Sequence, residues 1–238
     1  MKRAIVIGAS SGIGRALAEL LVEKDFIAGV TGRRRELLEE LRAQHPGKIF
    51  SSAFDVTDPA AVAEKLPALV RELGGLDLLV FSSGTGHVNA TLDFALEKEA
   101  VDTNVLPFTQ IAGWAYGFFQ AQKSGHLVGI TSIAGIRGGR HAPAYGATKA
   151  FQISYLAGLH HKARKSGLPV AITDIRPGFV DTAMAKGENV FWSAPARKAA
   201  EQIYRAIEKK KTVAYITRRW GIIAFLMRIV PRFLYERI

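Results

Sequence analysis

Arg3-Ala4-Ile5-Val6-Ile7-Gly8-Ala9-Ser10-Ser11-Gly12-Ile13-Gly14-Arg15-Ala16 is the stretch on which the fold turns. Four apolar residues in a row suit a strand buried on both faces, and a helical pattern opens among the glycines that follow. Glycine at such a turn lets the main chain approach a ligand closely. The start of the helix adds free N–H groups at the positive end of its dipole. Those two features suit a pyrophosphate. A plain tight turn would use the same glycines, but their place between a first strand and a first helix favours a dinucleotide. The spacing is GxxxGxG, so Gly8, Ser10, Ser11, Gly12, Ile13 and Gly14 are the candidate residues on the phosphate side.

Apolar runs of four to six residues alternate with helical patterns along the rest of the chain. Strands are expected at residues 3–7, 27–31, 49–53, 76–81, 126–131, 170–175 and 213–216. Helices are expected near 12–24, 34–44, 58–73, 95–122, 143–166 and 195–210. This alternation gives an α/β fold, a single doubly wound domain over residues 1–238. Its central parallel sheet has about seven strands with helices on both faces, and a basic, apolar extension follows at about 217–238.

The 238 residues are 48% hydrophobic and 22% charged, too apolar for a disordered chain. Zero cysteines exclude a disulfide framework, a thiolate zinc site and a cysteine nucleophile, and fit a cytoplasmic location. The six histidines form no metal-ligand pattern, so no metal is expected. The longest apolar run, residues 220–227, is far short of the roughly 20 residues a membrane span needs. The net charge of +11 is concentrated at one end: residues 205–238 hold nine Lys/Arg against two Glu, or +7. A nearly balanced body with a basic tail is not the footprint of a nucleic-acid-binding domain.

The second expected strand runs into Thr31-Gly32-Arg33-Arg34-Arg35. An NAD site usually carries Asp or Glu here to accept from the ribose 2′-hydroxyl. Arginines in its place repel nothing on a 2′-phosphate and bind it through paired charge-assisted hydrogen bonds. They also oppose the dipole at a helix start, which calls for a compensating role. Arg33 and Arg34 therefore point to NADP(H) over NAD(H).

Tyr145-Gly146-Ala147-Thr148-Lys149 opens a helical stretch, and a spacing of four puts the phenol and the ammonium on one face. A phenol of ordinary pKa near 10 is a poor base at neutral pH, and a neighbouring cation favours its ionised form. Thirteen residues earlier, Ser132 follows a strand, at the C-terminal end where open α/β sheets place ligands. Taken singly, the pair reads as a surface contact and the serine as a turn cap.

Taken together, these residues resemble the short-chain dehydrogenase/reductase family, whose common form is a single Rossmann domain. The resemblance runs from Ile5 to about Thr182. Gly8, Gly12 and Gly14 match its glycine loop, and Asp55-Val56 resembles its adenine-contacting step. Asn104, Ser132, Tyr145 and Lys149 match its catalytic tetrad. Within Arg176-Pro177-Gly178-Phe179-Val180-Asp181-Thr182, the resemblance assigns Pro177, Gly178, Val180 and Thr182 to the nicotinamide and pyrophosphate. Two positions depart from the pattern. Ile7 stands where the glycine loop usually begins with threonine, and Phe81-Ser82-Ser83-Gly84 replaces Asn-Asn-Ala-Gly, leaving Ser83 and Gly84 beside the cofactor.

The resemblance implies that Tyr145 protonates a carbonyl oxygen while NADPH delivers hydride, and that Ser132 stabilises the developing alkoxide. It also implies that Lys149 holds the nicotinamide ribose, and that Asn104 holds a water linking the lysine to solvent. The expected activity is carbonyl reduction, or alcohol oxidation in reverse, on an apolar small molecule. A 3-oxoacyl-carrier-protein reductase and a non-catalytic dinucleotide sensor are the alternatives. The family pattern also implies a homodimer or homotetramer through the helices near 95–122 and 143–166. The tail from Arg218 mixes arginines with Trp220, Ile222, Phe225, Leu226 and Phe233. Packing against the substrate cleft or a partner subunit is the favoured reading of it. Weak binding to an anionic membrane, which would make the protein peripheral there, is the other.

Overall fold

The computed structural model describes residues 1–182, 192–235 and 237. Strands β1 (Lys2–Ile7), β2 (Phe26–Gly32), β3 (Ile49–Ala53), β4 (Leu78–Phe81), β5 (Gly125–Ile130), β6 (Val170–Pro177) and, after a two-strand pair, β9 (Val213–Ile216) build one sheet. The pair is β7 (Val180–Asp181) with β8 (Ala194–Pro195). The sheet order is β3-β2-β1-β4-β5-β6-β9, and every pairing is parallel. From β1 the chain moves outward to β2 and β3, then returns to place β4 on the other side of β1. That reversal creates a crevice at the C-terminal ends of β1 and β4, where doubly wound sheets bind their ligands.

Alternation along β1 shows why its apolar run is continuous. Ala4 and Val6 enter a core shared with helices α1 (Gly12–Glu23), α2 (Arg35–Gln44) and α7 (Ala196–Glu208). Ile5 and Ile7 enter a second core on the opposite face. That core is closed by α3 (Pro59–Leu73), α5 (Leu106–Gln122) and α6 (Pro143–Lys165). A polar residue at any of these four positions would face a helix, and none is polar.

One expected helix divides. Residues 95–122 form α4 (Phe94–Asn104) and α5, separated at Val105. Pro107 has no N–H to continue the ladder across Thr103, so the helix restarts there with proline in its first turn. The division leaves the main-chain carbonyl of Asn104 available inside the protein. Around Pro231 the tail forms α8 (Trp220–Ile229) and the single turn α9 (Arg232–Tyr235).

His126 on β5 is buried, and its Nε2 lies 2.8 Å from the Thr173 hydroxyl. That hydroxyl donates to the Lys211 carbonyl, so Nε2 is the protonated ring nitrogen. Burial lowers the His126 pKa from 6.5 to about 4. Between those values the unfolded chain binds a proton that the folded chain refuses, so stability falls as pH falls through this window. The full loss is about 3 kcal/mol. Urea midpoints at neutral pH and at about pH 4 should show this decline, and His126→Gln should flatten it.

Candidate active site

The glycine loop sits at the sheet reversal. Gly8 has φ +85°, and a Cβ there would lie 2.7 Å from the Ser83 backbone, so the loops after β1 and β4 touch. A Cβ on Gly14 would fall 2.1 Å from the Gly8 carbonyl oxygen, which brings the first turn of α1 down onto the loop. The methyl of Thr182 approaches Gly12 from above: a Cβ on Gly12 would be 3.1 Å from it. Val180 is buried and Pro177 ends β6, so the segment after β6 folds back over the glycines. Main chain at Gly8 and Gly12, the free N–H groups of α1 and the threonine form a cradle that fits a pyrophosphate.

At the ribose end, Arg34 lies across the loop. Its Nη2 donates to Ser10 Oγ at 2.8 Å and to Ser11 Oγ at 2.6 Å. Arg33 is exposed and reaches to 3.8 Å from Asp55, whose other oxygen accepts from the N–H and hydroxyl of Thr57. Val56 is buried beneath them. Two guanidinium groups thus stand beside the glycine cradle. Ile13 packs on the first core behind the loop.

Ser132 follows β5, and its Oγ accepts from the Ala134 N–H at 3.1 Å, capping a short 3₁₀ turn at Ile133–Gly135. A Cβ on Gly135 would lie 2.6 Å from the Ala150 nitrogen, so that turn rests on α6 and sets Ser132 beside Tyr145. Glu97 of α4 accepts from the Ala144 N–H in the first turn of α6, one residue before Tyr145. The tyrosine ring lies flat against Gly86 in the loop after β4, where a Cβ would meet it at 2.3 Å. Burial raises the Tyr145 pKa above its ordinary value, while a hydrogen bond with Ser132 works against that rise.

Lys149 is only 4% exposed, and its Nζ stands 5.8 Å from the centre of the tyrosine ring. The ammonium donates to the Ile130 carbonyl at 3.1 Å and to Gln152 Oε1 at 3.0 Å. Burial brings its pKa down to about 8, and the negative charge of Asp174 resists the fall. A Cβ on Gly84 would lie 3.4 Å from Nζ and 3.2 Å from Asn104 Oδ1, so the loop after β4 closes over both. Asn104 is fully buried. Its side chain accepts from the Thr85 N–H and donates to the Thr85 carbonyl and the Thr148 hydroxyl.

Asn104, Ser132, Tyr145 and Lys149 therefore converge from three stretches of the sequence onto one end of the sheet. The sequence reading passed over Gln152, which bridges Lys149 to the Asn104 carbonyl, and the buried pair Asp174–Arg176 behind it. Asp174 is held by Arg176 Nε at 2.6 Å and by the Thr131 hydroxyl at 2.6 Å. Both had a legible trace: Gln152 is a polar residue between Phe151 and Ile153, one helical turn from Lys149. Asp174 and Arg176 are charged residues at alternate positions of a mostly apolar strand. Residues 183–191, which follow the Thr182 segment, lie outside the described residues.

Residues 2–191 match the family model for short chain dehydrogenases. An uncharacterized oxidoreductase of Myxococcus xanthus is 37% identical over 193 residues, covering 79% of this chain and 76% of its own. A Staphylococcus aureus oxidoreductase is 33% identical over 191 residues, covering 79% and 82%. Among solved structures, a Streptomyces avermitilis short-chain dehydrogenase superposes with a TM-score of 0.83 at 25% identity, covering 95% of this chain and 91% of that one. A short chain dehydrogenase/reductase from Burkholderia phymatum in complex with NAD gives 0.83 at 20% identity, covering 94% and 92%. A serine dehydrogenase complexed with NADP+ gives 0.79 at 24% identity, covering 86% and 88%. With a matching family over most of its length and a glycine cradle shaped for a dinucleotide, this chain belongs to the short-chain dehydrogenase/reductase family and is an NAD(P)-dependent oxidoreductase.

Proposed function

We propose that the enzyme is an NADP(H)-dependent reductase of apolar ketones or aldehydes, reversible toward secondary alcohols. The observation that carries this reading is the convergence of Ser132, Tyr145 and buried Lys149 at the end of β5. Bound in the glycine cradle, NADPH would supply the hydride. The chain's own residues do the rest. Tyr145 gives its phenolic proton to the carbonyl oxygen, and the Ser132 hydroxyl orients that oxygen and supports its developing charge. The Lys149 ammonium stabilises the phenolate left behind and is placed to hold the ribose hydroxyls. Arg33 and Arg34 support NADP(H) as the cofactor. A panel of carbonyl compounds scored by loss of NADPH absorbance tests the proposal. Tight NADPH binding with no turnover on any member would favour a sensor instead.

A 3-oxoacyl-carrier-protein substrate is the second reading, because a basic groove runs between α7 and β9. Lys198, Arg205, Lys209, Lys211, Arg218 and Arg219 line it, and no carboxylate does among the described lining residues. An acidic carrier would complement it, so the panel should include a 3-oxoacyl thioester on such a carrier.

Assembly as a homodimer or homotetramer is supported by apolar side chains on the outer faces of α5 and α6. Leu106 is 68% exposed, Phe151 is also exposed, and on α5 Trp114 and Phe118 stack half-buried on each other. The mass of a single chain by light scattering at micromolar concentration would count against assembly.

The tail has two faces. Inward, Trp220 lies on Gly178, where a Cβ would fall 2.1 Å from its ring, and Arg137 donates to the Met227 and Val230 carbonyls. Tyr235 donates to the Gly138 carbonyl. Helix α8 thereby walls the cleft between the Gly178 segment and the loop after Ser132, which suits an apolar substrate. Outward, Ile222, Phe225, Ile229 and Phe233 are each more than half exposed, among Arg228 and Arg232. Apolar side chains ringed by arginine suit the surface of an anionic bilayer. The intact protein should co-sediment with anionic but not neutral vesicles, and Phe225→Asp with Ile229→Asp should abolish this while turnover of a soluble ketone persists. No sedimentation of the native protein would overturn the membrane reading. Among the described residues, no helix is long and apolar enough to cross a membrane.

A further inference from the structure

Three fully or nearly fully buried groups form one chain of hydrogen bonds behind the tyrosine. Lys149 Nζ donates to Gln152 Oε1 at 3.0 Å, and Gln152 Nε2 donates to the main-chain carbonyl of Asn104 at 2.8 Å. Gln152 and Asn104 have no exposed surface at all. The amide can lie only one way round, since the ammonium and the carbonyl demand opposite ends of it. The carbonyl it meets is the one released where α4 gives way to α5, on the residue to which the family resemblance assigns a water linking the lysine to solvent.

We propose that Gln152 is a positioning residue for the catalytic lysine, its side-chain amide standing in this enzyme where a water would otherwise join Lys149 to Asn104. The inference deepens the reductase reading and rests on it for its catalytic meaning. A water in that place exchanges, reorients and donates or accepts as its neighbours require. A covalently tethered amide does none of these. It fixes the ammonium at one point between β5 and α6, and its oxygen supplies a permanent acceptor that favours the charged lysine. It also ties α6 to the break between α4 and α5, so the lysine and Asn104 move as one body. The other charged or titratable groups facing Nζ are Tyr145 from its own helix and Asp174 from β6, the latter paired with Arg176. Gln152 is thus the only neutral side chain hydrogen-bonded to the ammonium among the described residues.

Titration of Lys149 in the cofactor-free protein tests this without reference to any substrate. Lysine labelled with carbon-13 at Cε reports the charge of each side chain by nuclear magnetic resonance, and Lys149→Arg identifies the signal. In the native chain Lys149 should titrate near 8. Gln152→Leu removes the acceptor at similar bulk and should lower the midpoint by about one unit, while near-isosteric Gln152→Glu should raise it by about one unit. Gln152→Ala leaves room for a water to bridge Nζ and the Asn104 carbonyl, so its midpoint should stay within about half a unit of native despite a larger loss of thermal stability. A purely structural glutamine would rank the variants by stability alone, with one common titration. Unmoved midpoints in the Leu and Glu variants, or an Ala variant displaced as far as Leu, would overturn the proposal. If the Leu variant fails to fold, the Glu variant decides. Failure of the reductase reading would appear in the carbonyl panel and leave these titrations unchanged.

Discussion

Tyr145→Phe should lower carbonyl reduction at least ~100-fold while leaving the NADPH dissociation constant nearly unchanged. The substitution removes one oxygen and the only proton that the ring can transfer. The ring itself is held by contacts a phenylalanine keeps: it lies against Gly86, on a helix whose first turn is capped by Glu97 and braced by the 3₁₀ turn at Ile133–Gly135. The loss should therefore fall on kcat and not on assembly of the site. Steady-state rates with the best carbonyl of the panel, beside fluorescence titration with NADPH, check both halves. Retention of most of the rate would mean that another group supplies the proton, and Ser132 would be the next to replace.

Arg34→Glu should reverse the choice of cofactor. The native enzyme is expected to bind NADPH at least ~10-fold more tightly than NADH, and the variant to prefer NADH, a swing of at least ~100-fold. A swing of that size needs about 2.7 kcal/mol, within the range of one or two charge-assisted hydrogen bonds lost and a like-charge repulsion gained. Arg34 is the better of the two arginines to change. Its guanidinium is already fixed on the Ser10 and Ser11 hydroxyls, so little of its freedom remains to be lost when a phosphate arrives. Arg33 is 67% exposed in its side chain and engages Asp55 only at 3.8 Å. Arg34→Gln guards against a disturbed loop, since it should weaken NADPH and spare NADH. Equal native affinities for the two dinucleotides, measured at low salt, would remove the basis for an NADP(H) enzyme.

Much of the site lay open in the sequence because its signals are local. A strand run, three glycines and a helix start occupy adjacent residues, and backbone geometry alone makes them a turn against a helix N-terminus. Tyr145 and Lys149 share a face by helical spacing, whatever they pack on. The strands at β1 and β4 were legible for the same reason, since continuous apolar runs mark a sheet covered on both faces. The break at Val105 was harder to read: Pro107 announces it, but an aromatic and apolar pattern continuing through residue 122 masks the proline.

What the sequence determined by itself is the order of elements, the glycine cradle and the residue types of the acid–base pair, all fixed by periodicity and turn chemistry within a few residues. Tertiary structure alone decided which distant groups meet. Gln152 finds the Asn104 carbonyl 48 positions away because helix α4 ends beside α6. Asp174 joins Thr131, 43 positions away, because β5 and β6 are neighbours in the sheet. Trp220 covers Gly178 because β9 pairs with β6 and delivers α8 to the mouth of the cleft. Hydrophobic pattern sorts residues into inside and outside. A buried hydrogen bond depends on sheet order and helix packing at ångström scale, and only the folded chain sets those.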